Sequence, residues 1–434
     1  MRRYWQLWLI LAAYLGVGGL YAVYTPPWQA PDEPAHYNYV RQLAGGDLPV
    51  IAPGDYDQAY QAQVITSRFA PEYSVTPFSY EDHQPPLYYL LQLPVYLVSG
   101  GALLAMRLLS LLLGAGVAVL VYIIGTRLFP AYPWLPPTMT AFVAFLPQHV
   151  AMLAAVNNDS LAEQLIAAIL FRLISFSTSA YEPSRRAWLL LGLLLGLGFL
   201  TKATVYIMAP VAALVVLWRY WGDWRRVWRV GVWVFAPALF LGALWWGRNL
   251  FVYGGLDVLG AAAHDQVVVG QPRTSEWIRQ YGWRYTLTAF LRTTFQSFWG
   301  QFGWMGVVMP SWVYQLLLLF SGLVALGWSF AWRAADRPRL PRPAAHILLG
   351  TFLLSVALYL GYNLAYVQHQ GRYLFSALIP IAVAVALGVS ACFSTLYRRW
   401  SFAPFLLPPL FAAAFLSLDL LALFCFILPQ LTLP

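Results

Sequence analysis

The chain alternates long apolar stretches with shorter polar segments along almost its whole length. Eleven stretches are suited to cross a membrane as helices, since a span needs about 20 predominantly apolar residues. They cover residues 5–24, 106–127, 138–156, 160–178, 187–201, 203–220, 229–247, 308–331, 345–366, 373–393 and 403–428. The pattern therefore predicts an all-α polytopic membrane protein with about eleven transmembrane helices.

Two apolar stretches need a separate interpretation. Leu87–Val98 is too short to cross a bilayer alone, so we expect a re-entrant helix or one that lies against the outer surface. The first stretch follows Arg2 and Arg3, as the apolar part of a signal peptide would. It is long and aromatic and lacks a small-residue cleavage site, and we interpret it as a retained first span.

Composition agrees with a membrane location. Hydrophobic residues make up 60% of the chain and charged residues 10%, whereas soluble proteins carry about 25% charged residues. The formal net charge is +9, and membrane proteins collect such basic residues in their cytoplasmic loops. The charge therefore predicts no nucleic-acid partner.

Arginine placement predicts the orientation, because cytoplasmic loops are enriched in basic residues. With the N-terminus in the cytoplasm and alternating spans, the inner loops contain nearly all the arginines at span ends. These are Arg2, Arg3, Arg127, Arg185, Arg186, Arg219, Arg225, Arg226, Arg229, Arg333, Arg337, Arg339, Arg342, Arg398 and Arg399. The first outer loop contains eight acidic residues: Asp32, Glu33, Asp47, Asp55, Asp57, Glu72, Glu81 and Asp82.

Two outer loops, 25–105 and 248–305, are long enough to carry function. They divide the chain into a first transmembrane module, 1–247, which contains the first of these loops, and a second part, 248–434. In the first loop, Pro34 suits a first helical position and Gly45 begins a glycine pair that suits a stop, with apolar residues at helical spacing between them. This predicts an amphipathic surface helix whose N-terminal amides and dipole hold Asp32 and Glu33.

The segment Pro31–His36 contains the first candidate chemistry. Asp32 and Glu33 are adjacent carboxylates between prolines, and His36 follows one helical turn later. A capped helix start on a solvated loop explains the pattern as well as a catalytic pair does.

The segment His83–Tyr89 contains the second. Its prolines end an irregular stretch and open an apolar helix, which places His83 and Gln84 at the outer membrane surface. They could contact a substrate head group there, although an ordinary loop-to-helix junction explains the same residues.

Two further polar turns stand at outer span ends. Asn158 and Asp159 precede the fourth span, where a helix cap is the ordinary explanation and an acceptor or metal site the functional one. Arg372 precedes a late span, where it either snorkels to the interface or clamps a phosphate. Lys202 and Arg248 stand at other outer span ends, and together these cations indicate an anionic lipid head group.

Several common motifs are absent from the sequence. It contains no phosphate-binding Walker loop, no dinucleotide fingerprint in the expected strand–helix context, and no HExxH or CxxC motif. No nucleotide site is predicted, and the energy for any reaction would arrive within the substrate.

Taken together, these motifs resemble the GT-C superfamily, which includes protein O-mannosyltransferases, aminoarabinose transferases and oligosaccharyltransferases. The resemblance rests on the acidic pair, the His-x-Pro-Pro-Leu-Tyr-Tyr motif, Arg107–Ser110, the Asn157–Asp159 turn and the Leu-Thr-Lys around Lys202. The Gln-Gly-Arg-Tyr turn at Gln370–Tyr373 resembles an uncharacterised bacterial branch of GT-C-like proteins. The resemblance covers about the first 250 residues and the segment around 370–375.

The resemblance implies a membrane glycosyltransferase in a bacterial cytoplasmic membrane with its active site on the outer face. Such an enzyme moves a sugar, usually with inversion, from a polyprenyl-phosphate donor to a glycan, lipid or protein acceptor. It implies that Asp32 is the base and that Glu33 orients the acceptor or shares the task. The expected substrate-binding residues are His36, His83, Gln84, Asn158, Asp159, Lys202, Arg248, Gln370, Arg372 and Tyr373.

The resemblance also leaves other functions open. Some relatives use a divalent metal ion, for which Asp32, Asp159 and His83 would be the ligands here. The chain lacks the large soluble domain that follows the last span of oligosaccharyltransferases, which favours a small or partner-supplied acceptor. A transporter or flippase of lipid-linked sugars, or a non-catalytic envelope-assembly protein, are the alternatives from other classes.

Overall fold

A computed structural model describes residues 4–331, 338–393, 397 and 399–433 of the chain, and these residues are almost entirely helical. Within this described part, eight helical segments are long and apolar enough to span a membrane. They are Trp5–Tyr24, Leu103–Leu128, Asp159–Thr178, Trp224–Tyr253, Ser311–Ser329, Arg342–Ala365, Gly371–Cys392 and Ala403–Leu431. The predicted all-α polytopic membrane architecture is confirmed.

The helices and strands follow one another in a fixed order along the chain. The first half contains α1 (Trp5–Tyr24), α2 (Glu33–Ala44), α3 (Gln58–Thr66), α4 (Leu87–Ser99), α5 (Leu103–Leu128), α6 (Leu135–Ala144), α7 (Pro147–Leu153), α8 (Asp159–Thr178), α9 (Arg185–Phe199), a 3-10 helix (Ala203–Ile207) and α10 (Met208–Arg219). The second half contains α11 (Trp224–Tyr253), α12 (Ala261–Val267), α13 (Thr274–Tyr281), α14 (Trp283–Trp299), the antiparallel strands β1 (Gln301–Phe302) and β2 (Val307–Val308), α15 (Ser311–Ala331), α16 (Arg342–Ala365), a 3-10 helix (Gly371–Ala377), α17 (Leu378–Cys392), a 3-10 helix (Ala403–Leu406), α18 (Leu407–Leu421), a π-helical segment (Ala422–Ile427) and α19 (Leu428–Leu431).

The predicted count of eleven spans is not confirmed, because three predicted spans form shorter helices. The stretch 138–156 is divided between α6 and α7, and the break falls just before Pro147, which has no backbone N–H to continue the ladder. The stretch 187–201 forms the 15-residue α9. The stretch 203–220 begins with a 3-10 turn and continues as the 12-residue α10.

Glycines allow several of these helices to approach one another closely. A Cβ added at Gly192 of α9 would meet the Val234 carbonyl of α11 and lie 2.6 Å from Pro237. A Cβ at Gly388 of α17 would lie 2.6 Å from the Val324 carbonyl of α15. Membrane helices associate through such small residues, because the lipid supplies no hydrophobic force to hold them together.

The acidic loop predicted to lie on the outer side, 25–105, folds into an ordered layer over the bundle. The predicted helix between Pro34 and Gly45 is α2, and it is more deeply buried than a surface helix, with Tyr39 and Val40 fully covered. The buried Asn38 amide donates to the carbonyls of Val75, at 2.7 Å, and Phe78, at 2.8 Å. These hydrogen bonds join the later part of the loop to α2, and they fix the position of the loop above the helices.

Predicted inner and outer residues lie at opposite ends of the bundle. Helix α8 runs from Asp159, near the acidic first loop, to Thr178, where Arg127 donates to its hydroxyl at 3.3 Å. Arg219 donates to the carbonyls of Phe176 and Tyr181 at the same end as Thr178. Of the arginines used for the orientation, Arg2, Arg3, Arg333, Arg337 and Arg398 lie outside the described residues.

Candidate active site

An ion pair between Asp32 and Arg372 lies at the centre of the acidic end of the bundle. Arg372 donates to the Asp32 carboxylate at 2.8 Å, and the Tyr80 hydroxyl donates to the same group at 3.0 Å. The Arg372 side chain is 5% exposed and that of Asp32 is 24% exposed. The carboxylate is therefore held in place yet open on one side.

The local backbone brings these two residues together. Asp32 has a φ of 68° immediately before α2, a left-handed conformation that few residues other than glycine adopt readily. On the other side, the N–H of Gly371 donates to the Ser297 hydroxyl at 2.7 Å, which fixes the backbone just before Arg372. A Cβ at Gly371 would collide with the backbone of Thr294 and Phe298, so only glycine fits there.

The charge of Arg372 decides the protonation state of Asp32. Burial of the carboxyl raises its pKa, but the positive charge of Arg372, the nearby His36 and the hydrogen bonds from Arg372 and Tyr80 together more than offset this effect. The pKa of Asp32 is consequently held below its ordinary value. Asp32 is ionised at neutral pH and can accept a proton.

A second carboxylate–cation pair lies on the same face. Lys202 donates to Asp159 at 2.6 Å, and both side chains are partly accessible, at 17% and 24%. Asp159 begins α8, and its N–H donates to the Asn157 side chain at 2.8 Å. Lys202 immediately precedes the 3-10 turn after α9. Two cations and two carboxylates thus face a shared space.

That space is a cavity of about 590 Å³. Its polar end carries both ion pairs, while its other wall is apolar and belongs to α8 and α16. The lining includes Asp32, His36, Glu81, His83, Gln84, Asp159, Lys202, His264, Arg372 and Tyr373 at the polar end, and Ala162, Ile166, Ala357, Leu358 and Gly361 on the apolar wall. The volume suits a small-molecule ligand.

A smaller cavity of about 250 Å³ adjoins the first one at Asp32. Both cavities share six residues: Asp32, Glu81, His264, Tyr362, Arg372 and Tyr373. The remaining lining of the smaller cavity is mostly neutral, polar and aromatic, and includes Tyr56, Gln58, Gln61, Gln271, Trp304, Gln368 and Gln370. Gln370 also accepts a hydrogen bond from Arg372 Nε at 2.7 Å, so this turn orients the guanidinium.

Both predicted histidines lie on the larger cavity and are neutral. Burial lowers the pKa of His36, whose Nδ1 is 2.8 Å from the Tyr89 hydroxyl. Burial and the neighbouring His264 lower the pKa of His83 to about 3, and the two rings lie with their centroids 4.5 Å apart. A neutral imidazole can form hydrogen bonds with a ligand, but it cannot neutralise the negative charge of a phosphate.

Known proteins share this arrangement of helices. Residues 82–246 match the family of dolichyl-phosphate-mannose-protein mannosyltransferases. Over 99% of its length the chain aligns with 74% of ArnT from Cupriavidus metallidurans bound to undecaprenyl phosphate, with 14% sequence identity and a TM-score of 0.53. Over 94% of its length it aligns with 53% of the Archaeoglobus fulgidus oligosaccharyltransferase in complex with zinc and sulfate, with 16% identity and a TM-score of 0.53.

The chain has a GT-C fold. The fold that the sequence motifs implied is thereby confirmed. No curated protein matches the chain significantly in sequence. The roles of the individual site residues are therefore indicated by their own contacts and distances.

Glu33 does not reach either cavity. Its side chain is fully buried and forms an ion pair with Arg107, which donates to both carboxylate oxygens at 2.7 and 2.6 Å. The backbone amides of Trp28 and Val156 donate to the same carboxylate. The expectation that the amides of α2 hold both acids is therefore wrong. Glu33 ties the first loop to α5, and Asp32 is held by side chains.

Two other predicted contacts lie away from the larger cavity. Arg248 donates to the Pro49 carbonyl and packs over the Trp245 ring, so it supports the first loop and does not face the ion pairs. Asn158 is buried behind the lining, with its amide nitrogen 3.4 Å from the Tyr89 hydroxyl. Its amide nitrogen also lies 3.5 Å from the side-chain oxygen of Gln84, which lines the larger cavity.

Sequence reasoning missed several residues of the site. Tyr80, which holds Asp32, and Glu81, which lines both cavities, directly precede the His83 motif. In the sequence, these two residues were indicated only by the polar segment that precedes His83. Glu163 also lines the larger cavity and pairs with the buried His149 at 2.6 Å. Its position one turn after Asp159 on α8 was the signal for Glu163.

The described residues do not fit a resident divalent metal ion. Of the expected ligands, Asp32 and Asp159 each face a cation, and His83 Nδ1 is 3.1 Å from the Tyr80 carbonyl. In the part of the chain that the structure describes, no three His, Cys, Asp or Glu side chains are grouped to hold a metal.

Proposed function

We propose that the protein is a membrane glycosyltransferase that moves a sugar from a polyprenyl-phosphate donor to a hydroxyl acceptor. The observation that carries this proposal is the Asp32–Arg372 ion pair at the junction of two cavities. A transferase needs a base facing the acceptor and cations facing the leaving group, and this junction offers both. The GT-C fold supports the proposal, since ArnT of this fold is known bound to undecaprenyl phosphate.

The larger cavity suits the donor. A phosphate between Lys202 and Arg372 would meet two cations, and its developing charge would be stabilised as the sugar departs. The apolar wall formed by Ala162, Ile166 and Leu358 continues from this point between α8 and α16. A prenyl chain would lie along this wall, since it matches an apolar ligand.

Asp32 suits the role of general base. Because its pKa is lowered, it is ionised at neutral pH and accepts the acceptor proton as the new glycosidic bond forms. The phosphate departs from the opposite face of the sugar carbon, which inverts its configuration. Tyr80 and Arg372 hold the carboxylate oriented for this transfer.

The smaller cavity suits the acceptor. Apart from Asp32, Glu81, Arg372 and His264, its lining consists of uncharged residues, with five glutamines and several aromatic rings. Amides hydrogen-bond hydroxyl groups, and aromatic faces pack on the apolar faces of sugar rings. In the described lining of this cavity Arg372 is the one arginine or lysine, and the donor phosphate in the larger cavity would engage it, so no cation is left for a second phosphate. We infer that the acceptor is a neutral, hydroxyl-rich molecule.

Transfer in proteoliposomes tests the proposal. The purified protein is supplied with radiolabelled polyprenyl-phosphate sugars and with matched neutral and phosphorylated sugar acceptors, and product is separated from donor. We expect transfer to the neutral acceptors and a loss of at least about 100-fold in Asp32→Asn, as for removal of a general base. Glu72→Gln, which changes an exposed acid of the same loop, is the control.

Full transfer by Asp32→Asn would refute the assignment of the base. Movement of the lipid across the bilayer without a covalent product would instead identify a flippase. Preferential transfer to the phosphorylated acceptors would leave the glycosyltransferase standing and refute the inferred acceptor class.

A further inference from the structure

A separate groove of about 1040 Å³ lies at the arginine-rich end of the bundle, opposite the candidate active site. It is formed by the C-terminal ends of α5 and α8, the loop that follows α8, and the segment before α16. Its basic residues are Arg127, Arg172 and Arg339, and its apolar residues include Ile123, Leu128, Phe129, Tyr132, Phe171 and Phe176. The proposed transfer reaction uses none of these residues.

The three arginines come from three different elements of the described chain. Among the described residues, no carboxylate lies within ion-pair distance of Arg127, Arg172 or Arg339. The single acid in the described lining of the groove, Glu182, is occupied elsewhere, since it accepts from the Tyr220 hydroxyl at 2.7 Å and lies 3.9 Å from Arg226. The described lining of the groove therefore carries more positive than negative charge.

Arg172 distinguishes this groove from an ordinary set of cytoplasmic arginines. Arg127 belongs to the last turn of α5, where the helix dipole alone favours a cation. Arg172 lies six residues before the end of α8, which is nearly two turns into the helix. Its guanidinium stacks over Phe176 at 4.8 Å and donates to the Ala187 carbonyl, but its buried Nε has no partner among the described residues.

An unpaired guanidinium nitrogen in a half-buried setting needs an acceptor, and a phosphate oxygen supplies one. The aromatic side chains of Phe171 and Phe176 line the groove beside it. A free phosphate would satisfy the charge but leave this apolar lining exposed to water. Basic pockets between membrane helices bind anionic lipid head groups through this combination of charge and apolar contact.

We propose that the groove binds one anionic phospholipid, with the phosphate between Arg172 and Arg339 and the acyl chains against Phe171 and Ile123. The site lies on the membrane face opposite the candidate active site and is independent of the proposed glycosyl transfer. A bound lipid at this position would join α5, α8 and the segment before α16 at their ends.

Native mass spectrometry of detergent-purified protein titrated with phosphatidylglycerol or phosphatidylcholine tests this proposal. We expect one phosphatidylglycerol to bind with higher affinity than phosphatidylcholine. Loss of one arginine near an anionic lipid is worth about 1 kcal/mol, so Arg172→Gln and Arg339→Gln should each weaken binding about fivefold. Arg186→Gln, an exposed arginine at the same end but outside the groove, should bind like the wild type.

Equal affinity for the two lipids, or equal weakening by Arg186→Gln, would refute a specific site. Inorganic phosphate that displaces the lipid at millimolar concentration would show that the charge alone is recognised and would also overturn the proposal. Because Arg339 precedes α16 and lies outside the packed bundle, its variant remains informative even where Arg172→Gln impairs folding.

Discussion

Asp32 and Arg372 illustrate how a charged neighbour changes the chemistry of a half-buried acid. The carboxyl is largely enclosed by protein, which by itself favours the protonated form, yet the guanidinium 2.8 Å away helps to keep it ionised. The same hydrogen bond orients the Arg372 guanidinium. Under the proposed function, the donor phosphate would replace Asp32 as the partner of Arg372.

The pH dependence of transfer tests this pairing. The pKa of Asp32 is depressed, so the ionised base is present at neutral pH and is lost only as the pH falls through that lowered value. In Arg372→Gln the burial remains without the compensating charge, so the pKa rises. We expect the acidic limb of the kcat/KM profile to move to higher pH in this variant.

The matched control for the pH profile is Arg279→Gln, which removes an exposed arginine from α13 at the same end of the molecule. An acidic limb that stays in place in Arg372→Gln, or that moves equally in both variants, would contradict the proposed pairing. Because the comparison uses the shape of the profile, it remains valid when Arg372→Gln has low activity.

The buried pair of Glu33 and Arg107 leads to a prediction about stability. In Arg107→Met the Glu33 carboxylate loses its cation inside the protein, and breaking such a pair costs about 3–5 kcal/mol. We expect a lower unfolding temperature, followed by tryptophan fluorescence in detergent. The double variant Glu33→Gln, Arg107→Met should recover part of the loss, because no buried charge remains. An unchanged unfolding temperature in Arg107→Met would show that the pair is not structural.

At the scale of the helices, much of the architecture follows from local rules. The remaining parts depend on contacts between residues that are distant in the sequence. Pro34 and Gly45 predicted the bounds of α2 within one residue. The sequence could not predict the partner of Glu33, because Arg107 lies 74 residues further along the chain. Pro147 did mark the break between α6 and α7, but the apolar residues on both sides of it were interpreted as one span.

Close packing between α9 and α11 can be tested at Gly192. A Cβ there would collide with the Val234 carbonyl, so we expect Gly192→Ala to destabilise the protein by about 1–3 kcal/mol. Gly322 of α15 has open space around its Cβ position, and Gly322→Ala should be neutral or slightly stabilising, because alanine favours helix. Thermal unfolding of the two variants compares them directly, and equal effects would contradict close packing at Gly192.

At the scale of the whole molecule, the two ends of the bundle differ in charge and in architecture. One end carries an ordered layer of loops, the two cavities and the ion pairs, and the other carries the arginines and the lipid-binding groove proposed above. The positive-inside rule predicts that the arginine-rich end faces the cytoplasm. The proposed transfer would then take place on the outer side.

Labelling of single cysteines tests this orientation. In a background with Cys392→Ala and Cys425→Ala, Ser74→Cys places a thiol at an exposed position of the first loop, and Arg186→Cys places one at the arginine-rich end. We expect a membrane-impermeant maleimide to label Ser74→Cys in intact spheroplasts and Arg186→Cys only in inverted vesicles. Labelling in the opposite pattern would reverse the orientation, while leaving the geometry of the site unchanged.

The contact between Asp32 and Arg372 has a further thermodynamic consequence under the proposed function. If donor phosphate and Asp32 compete for the same guanidinium, protonation and donor binding are linked equilibria. Donor loading would release Asp32 and raise its proton affinity, so the base gains strength only when a sugar is in place. By reciprocity, donor affinity would increase as the pH falls through the pKa of Asp32. The same contact would thus order the reaction, with the donor bound before the acceptor is activated.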